Sequence, residues 1–300
     1  MAFPTGTHTA TTLASFIPEI WGERINDFYR SQLVMASFFV DRSSELAEGG
    51  DILYTPNMTE MSATAKADAT AVTLSSPTDT KVTLTVNQWF EVSFAIEDRD
   101  AAQMKRSYYT QEKYAMGAGF AVAKKLEVAI AELFDNFSQV VGSSVAALAD
   151  SDIRAAINFL TVANIDVTRD CAFFVAPAVF WKQLQAIDKF SLAINSPVQD
   201  PVAKVPQASL YGIPVFVTTN VQYISETTGR ANALAHKDAI HWATSPLGAA
   251  SDGPSVTGKF GVRVQSNYMP DYLSTLVTAD ILYGVIENRD TSGVYIKSST

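Results

Sequence analysis

One stretch of alternating side chains constrains the fold more than any other part of this sequence. From Val82 to Ile96, apolar residues hold the even positions, interrupted only by Gln88, and mostly polar residues hold the odd ones. This period of two predicts a β-strand with one buried face. At about 3.3 Å per residue the strand would span roughly 50 Å, whereas strands usually have about 5 to 6 residues. The pattern therefore predicts an unusually long strand.

The apolar period changes from two to three or four beyond Asp100, which predicts a helix of about 35 residues reaching Phe137. Gly117 and Gly119 lie inside this pattern and indicate either close packing or a division of the helix. The side chains expected on its apolar face are Tyr109, Met116, Phe120, Ala123, Leu126, Ile130, Leu133 and Phe137. A long helix beside a long strand is thus the expected framework.

The segment before the alternating stretch has a different composition. Residues 57–81 are mostly Thr, Ser and Ala with few large apolar side chains, so they cannot form a core of their own. The Thr-rich parts around Val72 and Leu74 favour extended structure. A short strand, DILYTP, precedes the segment and ends at Pro56. We therefore predict a long projecting hairpin or loop.

The N-terminal part divides in two. Residues up to about Ser15 show no periodicity and are typical of an extended arm. From Pro18 to Val40, apolar residues recur at mostly helical spacing, which predicts one amphipathic helix.

The chain from Ser151 onward has the pattern of an ordinary α/β mixture. It predicts a helix over 151–165 capped by Ser151 or Asp152, then a buried strand ended by Pro177. A second helix over 178–187, a surface loop with three prolines at 196–206 and several strands complete the prediction, with the last strands returning to the long helix.

Composition restricts the functional classes. The net charge of −9 argues against a broad basic surface that grips nucleic acid. No apolar run approaches the roughly 18 residues of a membrane span, and the first residues lack the pattern of a secretory signal. The single cysteine, Cys171, cannot form an intramolecular disulfide, which agrees with folding in a cytoplasm.

Three groups of residues are candidates for chemistry. The acids Glu97, Asp98 and Asp100 lie where the strand ends and the helix begins, so capping is favoured over binding of a hard cation. His236 and His241 are five residues apart, which places them on opposite faces of a strand and disfavours a shared metal.

The remaining candidate is Cys171, which lies in an apolar strand pattern and is interpreted as an inert core thiol. The sequence contains no GxSxG, P-loop or GxGxxG motif. We therefore expect no catalytic, cofactor or metal site, with an enzyme that uses Cys171, His236 or His241 as the least favoured hypothesis.

The order of these segments resembles that of the major capsid proteins of tailed bacteriophages, which have the Hong Kong 97 type fold. The resemblance covers nearly the whole chain, because a similar series of motifs runs from residue 17 to residue 244. The motifs are IPEIWGERINDFYRSQLV, EGGDILYTP, LTVNQWFEVSFAIEDRDAAQ, INFLTVANI, CAFFVAPAVFWKQL, LYGIPVFVTTNV and ALAHKDAIHWAT.

The resemblance implies an α+β capsid fold with four parts. These are an N-terminal arm (1–45), an extended loop with its flanking strands (46–96), a peripheral domain with a spine helix (97–144 and 259–300), and an axial domain (145–258). Glu97, Asp98 and Asp100 would mark a hinge at the start of the spine helix, and Trp89, Phe90 and Phe94 are the assembly candidates on the strand. No motif matches Lys66 or Lys81 to the covalent cross-link known in the founding member.

The implied function is structural and not enzymatic. The subunit would self-assemble as pentamers and hexamers into the icosahedral shell of a virion that encloses double-stranded DNA without specific binding. Assembly would take place in the bacterial cytoplasm, without a cofactor. The implied partners are further copies of the chain, a portal protein and a separate scaffolding protein, since the arm begins almost at Met1, and the family also admits a decoration protein. The alternative is an encapsulin-like compartment shell with the same fold.

Overall fold

The computed structural model describes most of the chain beyond residue 30. The described residues are 31, 33–46, 49–74, 76–103, 107–187, 209–225, 228–245, 247, 255–257 and 259–300. Contacts divide the chain into Met1–Arg30 and Ser31–Thr300, and every described residue belongs to the second unit. The expected arm up to Ser15, most of the predicted helix from Pro18 to Val40, and the proline-rich loop at 196–206 lie outside the described residues. Where it is described, the predicted helix is wrong at its end, because only Met35–Phe38 is helical and Val40 begins a strand.

Five α-helices are found among the described residues. They are α1 Met35–Phe38, α2 Asp98–Gln103, α3 Ser107–Glu132, α4 Asp150–Val162 and α5 Pro177–Lys182. Short 3-10 turns occur at Ser43–Leu46, Leu133–Asn136, Leu184–Ala186, Lys237–Ala239, Lys259–Gly261, Pro270–Tyr272 and Asp290–Ser292. The helices α2 and α3 occupy the region of the single long helix that the sequence predicts.

The strands among the described residues form three sheets. In chain order they are β1 Val40–Asp41, β2 Ile52–Asn57, β3 Thr80–Thr85, β4 Gln88–Glu97, β5 Val140–Gly142, β6 Cys171–Val175, β7 Ser209–Leu210, β8 Ile213–Val217, β9 Tyr223–Ser225, β10 Thr228–His236, β11 Ile240–Thr244, β12 Ser255–Thr257, β13 Arg263–Met269, β14 Ser274–Glu287 and β15 Gly293–Ser298. The first sheet has the order β1-β11-β14-β13-β12, with β4 also paired to β14. The second has the order β5-β15-β10-β6-β8-β7, with β9 on β10, and β2 pairs with β3 alone.

The predicted continuous strand from Val82 to Ile96 is wrong at its middle. The chain leaves β3 at Thr85 and enters β4 at Gln88, and these two strands pair with different partners, β2 and β14. At the break, Val86 N donates to the Asp51 carbonyl at 2.8 Å. The backbone of Thr85 also passes against Gly284, where a Cβ would lie 2.1 Å from the Thr85 carbonyl oxygen. The alternation of apolar and polar residues continues from β3 into β4, although the two strands have different partner strands. Periodicity alone therefore could not reveal the break.

The apolar face of α3 differs in part from the prediction. Leu126 and Ile130 are fully buried as expected, whereas Met116 is 47% exposed. The buried stripe steps by four and includes two residues that the prediction missed, Ala118 and Val122. The helix is undivided over Ser107–Glu132, and a Cβ on Gly119 would meet Val264 at an ordinary 3.7 Å. The glycines therefore do not break the helix.

Two boundary predictions near α4 and α5 are corrected. The residue that caps α4 is Ala149, and Asp152 lies in the first turn, where its Oδ2 accepts from Ala149 N at 3.0 Å. Ser151 is likewise inside the helix. Pro177 does not end β6 but is the first residue of α5. Proline suits this position because the N–H that it lacks would have no partner in the first turn of a helix. All five residues of β6 are buried, as the apolar run predicts.

Some strands lie in a different sheet from the one expected from the domain boundaries that the resemblance implies. Strand β11 comes from 145–258, yet it pairs with β14 in the first sheet. Strands β5 and β15 come from 97–144 and 259–300, yet both lie in the second sheet. The main apolar core, which includes Phe134, joins residues from α3 and from both sheets. The described residues are therefore packed as one unit.

Candidate assembly surfaces

The segment between β2 and β3 has the exposure expected of a projecting hairpin. Every described residue in 58–74 and 76–79 is exposed, and its part around Val72 and Leu74 forms no described strand. The large apolar side chains Met58, Met61, Val72 and Leu74 are 63% to 89% exposed. At the start of the excursion the Thr59 hydroxyl donates to the Thr78 carbonyl, so the two ends of the loop are adjacent. These four exposed apolar side chains are suited to contact with another chain.

The base of this hairpin is fixed by its own small apolar cluster. Leu46, Leu84, Val86 and Ala243 are buried together, apart from the main core. Arg42 adds a polar link, since its guanidinium pairs with Glu45 at 2.6 Å and donates to the Thr55 hydroxyl of β2. The hairpin is therefore held at its base, while the described residues of its distal part are exposed.

Strand β4 presents Phe90 and Phe94 on the side that faces α3. The Phe90 ring stacks on Tyr283 with centroids 5.9 Å apart, and Phe94 meets Tyr114 of α3 at 5.8 Å. The Lys125 ammonium lies 4.9 Å from the centre of the Phe90 ring. Burial raises the pKa of Tyr283 to about 12, with a further contribution from Glu132. Both phenylalanines are half-buried, but Val92 on the same face is 37% exposed, so the predicted buried face is only partly buried.

The opposite face of the same sheet carries both polar and apolar side chains. Trp89 is 66% exposed there, and its indole N–H donates to Asp280 at 3.2 Å. Asp280 is buried and also accepts from Arg263 through Nε at 2.9 Å and Nη2 at 2.6 Å. These bonds join the neighbouring strands β4, β14 and β13. Trp89 therefore holds the sheet together through one edge of its indole and leaves much of the ring exposed.

The acids at the end of β4 lie at the predicted turn into a helix. Glu97 ends β4, and Asp98 and Asp100 fall in the first turn of α2, where carboxylates interact favourably with the helix dipole. Asp98 N donates to the Leu273 carbonyl at 2.9 Å, and the Tyr268 hydroxyl donates to the Asp98 carboxylate at 2.7 Å. That second bond raises the pKa of Tyr268. All three acids are exposed, so solvent reaches this junction.

The histidines and the cysteine lie in separate places. His236 ends β10 and His241 lies in β11, so they belong to different sheets and not to one strand as predicted. Burial lowers the pKa of His241, and the nearby Arg42 lowers it further. Cys171 is 3% exposed, and burial raises the pKa of its thiol to about 12, as expected of an inert core thiol.

His236 lies on the wall of an open polar cavity of about 330 Å³, together with Asp166, Asp170 and Asp238. Within the described residues, no group of three His, Cys, Asp or Glu side chains is placed to hold a metal ion. No helix in that same part is long and apolar enough to cross a membrane.

The arrangement of sheets and helices matches solved structures over almost its whole length. A structure described as Mycobacterium phage Che8 superposes with a TM-score of 0.75 at 20% identity, over 94% of this chain and 97% of the other. A capsid structure of cyanophage P-SCSP1u gives 0.72 at 11% identity over 98% and 96%. The capsid of a native GTA particle gives 0.67 at 13% identity over 99% and 100%. The chain has the Hong Kong 97 type capsid fold.

Sequence comparison adds little to this likeness. No protein-family model matches the sequence, and no curated protein matches it significantly. The Hong Kong 97 type fold is thus conserved here where few side chains are shared. In this chain, the order of alternating and helical segments therefore indicates the fold better than any single motif does.

Several residues that stabilise the fold of this chain were not predicted from the sequence. Asp280 and Arg263 were not singled out, although two charged residues within apolar alternating stretches are a signal for a buried pair. Gly284 lies inside β14, where a glycine in a strand indicates close approach of another backbone. Glu127, which is fully buried in α3, had no signal beyond its position between Leu126 and Val128.

Proposed function

We propose that this protein is the major subunit of a viral capsid shell. The observation that carries the proposal is the match to capsid structures of a cyanophage and of a GTA particle over at least 96% of both chains. The exposed hairpin between β2 and β3 supports it, because its apolar side chains are covered only if another chain lies over them. The role is structural, and we assign no catalytic residue.

The charge of the chain supports enclosure of DNA without specific binding. At a net charge of −9 the subunit lacks the excess of Lys and Arg that phosphate neutralisation requires. We propose that copies of the chain form pentamers and hexamers of a virion shell, assembled in the host cytoplasm. A portal protein, a separate scaffolding protein and a decoration protein are its proposed partners.

The division into an arm (1–45), an extended loop (46–96), a peripheral domain (97–144 and 259–300) and an axial domain (145–258) is part of this proposal. The pairing of strands supports one amendment. We assign β11 to the peripheral sheet and β5 and β15 to the axial sheet, because those are the sheets with which they pair.

We also propose the junction at Glu97, Asp98 and Asp100 as a hinge between β4 and α2 during capsid maturation. Its exposure to solvent supports this role. An Asp100→Pro variant tests it by restricting the backbone of Arg99. Shells of this variant should be slower or unable to change diameter, as measured by small-angle scattering, and an unchanged transition would contradict the hinge.

Electron microscopy of the expressed full-length chain, alone and with a co-expressed scaffolding protein, tests the proposed function. We expect closed shells or isolated pentamers and hexamers. A stable monomer under all these conditions would contradict the proposal. The encapsulin alternative predicts shells that contain a cargo enzyme and no DNA, and the phage and GTA capsids named above give it no support.

A further inference from the structure

One fully buried acid in the middle of α3 has no role in the surfaces described above. Glu127 is 0% exposed and is flanked on the same helix by the buried Leu126, Ile130 and Ala131. Among the described residues, no Lys, Arg or His forms a salt bridge with it. A carboxylate in such a position is costly unless hydrogen bonds replace the lost water.

Those hydrogen bonds come from a segment 91 to 93 residues away in sequence. Oε1 of Glu127 accepts from Val34 N and Met35 N, each at 2.7 Å, and Oε2 accepts from Ala36 N at 3.0 Å. Burial raises the pKa of Glu127, whereas these three bonds act against that rise. The carboxylate thus has backbone N–H donors on both of its oxygens and nothing else among the described residues.

The segment that Glu127 contacts has no acceptor of its own for these amides. Helix α1 has only four residues, its N-cap is Val34, and no side chain of the segment caps it. The first N–H groups of a helix lack partners within the helix. Glu127 therefore supplies from α3 the cap that the local sequence omits.

We propose that Glu127 is the positioning residue that fixes to α3 the point where residues 1–30 join the rest of the subunit. The segment next to this join is held by apolar packing of Met35, Ala36 and Phe39, which any small shift could preserve, and by the three directional bonds to Glu127, which a shift would break. The bonds therefore set the register of the segment along α3.

Hydrogen exchange on the full-length chain tests this role with a variant that keeps the core intact. Glu127→Leu preserves the side-chain volume approximately and removes the buried charge, which offsets part of the cost of leaving three N–H groups without an acceptor, so the subunit should remain folded with a lower unfolding temperature. The amides of Val34, Met35 and Ala36 nevertheless lose their acceptor, and we expect their exchange to become about tenfold faster or more, with β10 and β15 unaffected.

Glu127→Gln provides a second, isosteric test, because its amide NH2 faces a backbone N–H where the carboxylate had an acceptor. It should also accelerate exchange at 34–36, whereas Glu112→Gln, at an exposed position of the same helix, should not. Unchanged exchange at these amides in both Glu127 variants, or acceleration spread equally over β10 and β15, would overturn the proposal.

The consequence for assembly rests on the proposed capsid function. If residues 1–30 contact neighbouring subunits, the Glu127→Leu chain should form irregular or fewer closed shells while its subunits remain folded. The capsid function and the anchoring role of Glu127 can be disproved independently. Absence of shells from the unmodified chain counts against the capsid function, and normal exchange at residues 34–36 in the variants counts against the anchor.

Discussion

At the scale of single residues, the strand break before β4 depends on one glycine. Gly284 lies where the Thr85 backbone passes, and a Cβ there would be 2.1 Å from the Thr85 carbonyl oxygen and 3.0 Å from the Val86 Cα. Neither is the end of a flexible side chain, so one strand must move. The chain can therefore change partners at residues 86–87 only while position 284 has no side chain.

Gly284→Ala should lower the free energy of unfolding by about 2 kcal/mol or more, since overpacking against backbone is not relieved by rotamer changes. Denaturant unfolding of the subunit measures this. The matched control is Gly119→Ala, where the new Cβ meets Val264 at 3.7 Å and the helix gains up to about 1 kcal/mol. Equal effects of the two substitutions would contradict the close approach.

A second residue-scale effect concerns pH. Burial, together with the neighbouring Asp290, raises the pKa of Glu287 from its ordinary 4.5 to about 7. Burial alone would raise the pKa of Asp290. Hydrogen bonds from Ser138 outweigh this effect and hold the pKa of that carboxyl below its ordinary 3.8. Asp290 is therefore charged throughout the range in which Glu287 titrates.

Because the folded pKa of Glu287 lies above the unfolded one, the folded state binds the proton more tightly. Its contribution to stability is complete below pH 4.5 and is lost as the pH rises to about 7. The unfolding temperature of the natural chain should therefore fall more steeply across this window than that of Glu287→Gln. Parallel curves for the two proteins would show that Glu287 has an ordinary pKa.

At the scale of elements, β4 has two chemically different faces that work with different partners. Phe90 and Phe94 pack toward Tyr283 and α3, and Trp89 reaches Asp280 on the other side. The sequence predicts this division correctly, because a period of two assigns each residue to a face whatever strand lies beside it. The identity of the neighbouring strands could not be predicted in the same way.

Phe94→Asp should destabilise the subunit by about 3 kcal/mol, because it loses the contact with Tyr114 and places a carboxylate on the half-buried face. Ala95→Asp is the control on the exposed face and should change stability by well under 1 kcal/mol. Thermal unfolding of both variants gives the comparison. A larger effect at Ala95 would mean that the two faces are exchanged.

At the scale of the whole molecule, the hairpin and the packed unit are separable. The loop residues 60–77 are exposed wherever they are described, while the small cluster with Leu84 and Val86 fixes only the base. Folding should therefore not need the distal loop, whereas assembly into a shell should.

Replacing residues 60–77 by a short Gly and Ser linker should leave the unfolding temperature within about 2 °C of the original, because no buried group is lost. The Thr59 to Thr78 bond shows that a short link can close the gap. Electron microscopy should then show no closed shells. A linker of the original length serves as the control that separates loop length from loop sequence, and normal shells from both variants would contradict a role in assembly.

The sequence by itself determined the alternating faces of β4, the helical region from Asp98, the buried strand β6 and the projecting loop. Each of these is a local pattern, fixed by the period of apolar residues or by their absence. Only the tertiary structure decided that β3 and β4 are separate, that β11 and β15 lie in unexpected sheets, and that Glu127 caps α1. These features depend on residues far apart in sequence, where close backbone approach and burial select partners that a local period does not encode.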